Sequence, residues 1–180
     1  MTVTTSNQST LLMSRVTRYA LGILLLTSVH HAYGAYVYQS PWRLHVVPLS
    51  IAAGAVIYGA ERMLRTRGTT AAGTIAFWIF CAVALAFPFG MIGLLEGGYN
   101  HALKNLLYFG GASPELMTAW FPPPTYELPN DLFFEITGVL QLIPGVMGSY
   151  YLLLLIRSRW TARGRGQVGR AELPEHSWGS

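Results

Sequence analysis

Five side chains in this sequence are of the types that metal sites and proton transfers use: His30, His31, Glu96, His101 and Glu135. Imidazole nitrogen together with carboxylate oxygen suits zinc, copper or iron. The expected ligands are His30 or His31, with His101, Glu96 and Glu135. Tyr99, Asn100 and Asp131 stand close to them in sequence and are expected to orient them or to contact a bound cofactor. The chain has a single cysteine, Cys81, so a thiolate zinc site of the CxxC kind is excluded. Neither HExxH nor the Glu-x-x-His pair of di-iron bundles occurs. Against the metal reading stands a plainer one, in which each histidine bonds to backbone or water at a wet membrane edge.

The richest stretch runs from Gly93 to Asn105. An apolar run ends there, and Glu96, Gly97, Gly98, Tyr99, Asn100 and His101 follow at once. His30 and His31 are adjacent, so on a helix they point about 100° apart. Both can face inward only at the edges of the inward sector. Glu135 shares a helical stripe with Gly138, Leu142, Gly145 and Ser149. Small residues mark helix contacts in membranes, and a lipid-facing carboxylate is costly. Glu135 is therefore expected to face the interior.

Three other readings use the same residues. A b-type haem needs two histidines at matched depth on facing helices. The third apolar segment has none in its middle and the fourth has none at all, so haem is disfavoured. A metal-free site for a small apolar ligand, sterol-like or quinone, or for a cationic one, could transfer protons through its carboxylates. Glu135 with Gln141, and Glu96 with Tyr99, loosely resemble the sterol-isomerase and sigma-2-receptor type of four-helix protein. The order of motifs differs, and membership does not follow. In the last reading the chain is a non-catalytic accessory or assembly subunit. Its small-residue faces would then pack on partner membrane subunits, and Pro122-Pro123-Pro124 would dock or act as a stiff spacer.

These residues need elements to carry them. Apolar residues make up 52% of the chain and charged residues 11%, against a usual charged share of about 25%. Four apolar segments are long enough to cross about 30 Å of lipid. They cover roughly 16–38, 44–64, 71–95 and 131–156. The fold expected is an all-α integral membrane protein, an antiparallel bundle of four transmembrane helices. A disordered tail (1–14) precedes it, an outer loop cap (96–130) covers it, and a basic disordered tail (157–180) follows. Ala55 and Gly59 have the spacing for close helix approach. Pro88 should kink the third span, and Asp131 should cap the fourth.

Charge sets the orientation. Arg15, Arg18, Arg62, Arg65, Arg67, Arg157, Arg159, Arg163, Arg165 and Arg170 fall on one side of such a bundle, and only Arg43 and Lys104 on the other. The positive-inside rule puts both termini in the cytoplasm, across a plasma or inner membrane. The histidines and acids named above then gather at the outer face. The net charge of +4 comes from arginines flanking apolar segments and from the tail, so it does not point to nucleic acid. No glycine-rich phosphate loop and no nucleophile motif is present.

Overall fold

The computed structural model describes residues 2–123 and 126–171, with side chains placed over 7–123 and 126–161. All regular structure among the described residues is helical. Four stretches are long and apolar enough to cross a membrane: Asn7–Val37, Pro41–Arg67, Ala71–Phe109 and Leu132–Thr161.

Helix α1 spans Thr2–Val37. It thus runs back through the segment expected as a disordered tail. Leu12 and Met13 within that segment are buried in the core. The helix closes with Gln39 at φ 49°, a conformation usually left to glycine. The Ser40 N–H bonds the Ala35 carbonyl and the Gln39 N–H bonds that of Tyr36, the paired closure of a Schellman motif. A short 3-10 turn, Pro41–His45, leads into α2, Val46–Arg67. Thr70 caps α3, Ala71–Ala84, by accepting from the Gly73 N–H at 3.1 Å.

Beyond α3 the same rod changes register. Leu85–Leu103 is a π-helix of 19 residues. Pro88 near its start has no N–H, which breaks the i→i−4 ladder there. The third span therefore continues past the expected end at 95. Two short helices follow, α4 (Lys104–Phe109) and α5 (Pro114–Trp120). The last span is α6 (Leu132–Leu140) followed by α7 (Leu142–Ala171). Asp131 caps α6 as expected, accepting from the Phe134 N–H at 2.8 Å. The break at Gln141 follows from Pro144, which cannot donate to the Leu140 carbonyl. Helix α7 runs on to Ala171, through residues expected as a tail. Residues 172–180 of that expected tail lie outside the described residues.

Helix α1 packs against α2, α6, α7 and the π-helix, while α2 lies along α3 and the π-helix along α7. The core between them centres on Ile23, Ile57, Phe80, Phe89 and Leu152. The close approach expected at Ala55 and Gly59 is not made, for a Cβ on Gly59 would meet nothing within 4 Å. It occurs instead at Gly93 and Gly145, where a Cβ on either would come 2.5 Å from the other's Cα. That contact seats the π-helix directly on α7 and sets the depth of everything above it.

Candidate metal centre

His30 is fully buried on α1, and its ring stacks on Phe134 of α6 with centroids 4.1 Å apart. Its Nδ1 lies 3.0 Å from the Thr137 hydroxyl oxygen. That hydroxyl has one proton, and it faces the Phe133 carbonyl at 2.8 Å and the Phe134 carbonyl at 3.1 Å. Thr137 thus donates to its own helix and accepts from His30. The proton inventory puts the imidazole hydrogen on Nδ1 and leaves a lone pair on Nε2. Nε2 is buried and has no hydrogen-bond partner among the described residues.

His101 repeats the arrangement from the π-helix. Its Nδ1 lies 2.8 Å from Glu135 Oε2. The other oxygen of Glu135 accepts from the Lys104 ammonium at 3.0 Å, and Lys104 also donates to the Glu127 carbonyl at 2.7 Å. A carboxylate paired with an ammonium is an acceptor, so His101 donates from Nδ1 and its lone pair sits on Nε2. A carboxylate behind the far nitrogen is how ligating imidazoles are commonly oriented.

Glu96 completes the group. Its Oε1 lies 3.4 Å from His30 Nε2 and 2.8 Å from His31 Nε2. One donor atom from each of His30, Glu96 and His101 lies within 4.8 Å of the others. Bonds of about 2.0–2.2 Å to one ion require the donors to lie somewhat closer together than that outer limit.

The π-helix explains how one rod supplies two of these groups. Glu96 and His101 are five residues apart, which in an α-helix would turn them about 140° from each other. Hydrogen bonds from i to i+5 widen the turn and bring them onto one face.

The other expected residues take different places. His31 is buried beside His30, with ring centroids 5.4 Å apart, and approaches Glu96 without a hydrogen bond. Glu135 lies behind His101, both of its oxygens engaged, and stands outside the close donor group. Asp131 caps α6 and accepts from the Tyr33 hydroxyl at 3.0 Å. Tyr99 donates to the Trp120 carbonyl at 2.7 Å and so ties α5 to the π-helix. Asn100 lines a cavity beside Glu96 and His101.

Thr137, Phe134 and Arg43 belong to the site and were not expected there. By sequence alone Lys104 could neutralise Glu96 or Asp131 or simply snorkel at the interface; in the structure it pairs with Glu135. Its spacing of three from His101 put it on the right helix face, but only packing against α6 chooses the acid.

Gly138 is the hinge of the fit between the π-helix and α6, because a Cβ there would run into the His101 ring. Gly138→Ala should cost about 1–3 kcal/mol through this overpacking. Denaturation in detergent, compared with Gly59→Ala as a substitution into open space, checks it.

Comparison with protein families, curated proteins and solved structures finds no match to this chain.

Proposed function

We propose that this chain is an integral membrane protein of four antiparallel spans that holds one transition-metal ion near its outer face. The ligands are His30, Glu96 and His101. One observation carries the reading: three donors converge within 4.8 Å, and the two histidines have their far nitrogens occupied by Thr137 and Glu135. That pattern leaves Nε2 of each ring as the unprotonated donor.

Two histidines and one carboxylate leave coordination positions open, as in catalytic zinc sites and non-haem iron(II) sites. A bound ion would act there as a Lewis acid on a substrate oxygen or, if redox-active, as an electron carrier. The protein's part is orientation and exclusion of water. Phe134 seals one side of His30, and Glu135 and Thr137 hold both rings in place. Haem fits poorly, because the His30 and His101 rings meet edge to face at 4.8 Å between centroids, with no slot for a porphyrin.

The membrane reading rests on apolar side chains turned outward. Leu25, Ile51, Ile75 and Leu153 are 69%, 68%, 61% and 55% exposed. The arginine asymmetry puts both termini in the cytoplasm, at a plasma or inner membrane.

Elemental analysis of protein purified without an affinity metal tests the assignment. The expected content is about one ion per chain, falling to background in the His30→Ala/His101→Ala double variant. Metal content at background in the wild-type chain, or unchanged in the double variant, would overturn the assignment. A C-terminal reporter active only outside the cell would overturn the orientation.

A further inference from the structure

We infer that the cavity beside the proposed metal site takes a long-chain carboxylate, its head toward Arg43 and its tail along the lipid-facing surface. The cavity is about 300 Å³ and touches Glu96, His101, Lys104 and Arg43. It lies where α2 and the π-helix part. Leu49, Met91 and Leu95 form its apolar wall and are 50%, 54% and 47% exposed, so this wall continues outward onto the lipid-facing surface. Pockets that enclose whole drug-sized ligands run from about 300 to 1,000 Å³. This one encloses a head and the first few carbons, and the remainder of the chain has an apolar surface to follow.

The unspent polar groups define the head. Arg43 is only 6% exposed and carries a fork of N–H donors. Its one polar partner among the described residues is Glu127 Oε1, at the long distance of 3.5 Å, and its Nε is buried without a partner. Tyr38, Trp42 and Phe134 surround the guanidinium with ring centroids at 5.4, 5.1 and 5.4 Å, which fixes its place but accepts little from its N–H groups. The Lys104 ammonium has three protons and spends two, on Glu127 and Glu135. Arg43 and Lys104 thus keep donors to spare, beside the acceptors of Glu96 and of Asn100, whose Oδ1 is buried without a partner among the described residues, and the complement of the two cations is a head that only accepts. A carboxylate does so and matches the planar fork of arginine.

Charge agrees, and this part rests on the metal reading. Glu96, Glu127 and Glu135 against Arg43 and Lys104 leave one negative charge in excess. A divalent ion reverses that to one positive charge, which a single carboxylate neutralises.

Trp42 lines the cavity and serves as the reporter. Bromine-labelled stearate, titrated into protein in lipid nanodiscs, should quench Trp42 saturably, and the quenched component should vanish in Trp42→Phe. Unlabelled stearate should compete, and stearyl alcohol should compete at least about tenfold more weakly for want of charge-assisted hydrogen bonds. Arg43→Gln should weaken the stearate about tenfold or more, with Arg43→Lys between it and the wild type. Quenching that does not saturate, equal competition by alcohol and acid, or wild-type affinity in a folded Arg43→Gln variant would each overturn the proposal. The same titration after chelation separates the two readings. Saturable, Arg43-dependent binding in a chain that takes up no metal sinks the metal assignment alone. Metal uptake with unsaturable quenching sinks the carboxylate site alone.

Discussion

Glu135→Ala should destabilise the protein by about 3–5 kcal/mol, the cost of stranding one half of a buried ion pair. Glu135 and Lys104 are 6% and 2% exposed and lie 3.0 Å apart. Removing the carboxylate leaves an ammonium with one backbone acceptor, the Glu127 carbonyl. It also takes the acceptor from His101 Nδ1. Breaking such a pair costs far more than replacing it, because desolvation has already been suffered by both charges. The double variant Glu135→Leu/Lys104→Met should therefore recover more than half of the loss. Unfolding in mixed detergent, followed by circular dichroism, measures both. A single-variant loss under about 1 kcal/mol, the scale of a solvent-screened pair, would mean that the pair is wet. A double variant no better than the single one would mean that His101, not Lys104, suffers the damage.

That pair also shows what a sequence of this kind can disclose. The apolar runs make the four long helices legible, because their composition leaves few alternatives. Charge asymmetry then collects His30, His31, Glu96, His101 and Glu135 at one level without any contact being known. The choice between His30 and His31 is not legible, since adjacent residues on a helix straddle the inward sector and packing alone decides. The structure gives His30 the hydrogen-bonded place against Thr137 and leaves His31 the shorter approach to Glu96, 2.8 Å against 3.4 Å, without a hydrogen bond. The pairing of Glu96 with His101 on one face is hidden for a different reason. Spacing rules assume 3.6 residues per turn, and the π register that aligns residues five apart has no compositional mark beyond Pro88. Glu135 was placed facing inward from its stripe of small neighbours. Its position between His101 and Lys104 is not legible, because the long lysine side chain could by sequence equally reach Glu96, Asp131 or the membrane surface. Asp131 was legible as a helix cap, and capping, with the Tyr33 hydroxyl, is where the structure puts it.

Metal affinity should fall in a graded order that a merely structural cluster would not produce. His101→Ala and His30→Ala each remove a ligand and should abolish measurable binding. Glu135→Gln should weaken it by about 10–100-fold, the usual effect of losing the group behind a ligating histidine. Glutamine keeps the shape and can still accept from His101 Nδ1, but it lacks the charge that makes the imidazole a better donor. Thr137→Val is the matched test on His30, since it removes the hydroxyl that holds Nδ1–H at 3.0 Å while keeping the volume. It should fall in the same range, because the ring loses its fixed tautomer and orientation. Asp131→Asn preserves the cap and leaves the donor group untouched, so its affinity should stay within about threefold of wild type, well short of the effect of a displaced ligand support. Competition against a chromophoric chelator gives all five values on one scale. If Glu135→Gln and Thr137→Val bind like the wild type while the histidine variants do not, the two supports have no part in orienting the rings. If Asp131→Asn falls as far as Glu135→Gln, the cluster responds to general loosening of α6, and the ordering of ligand and support collapses.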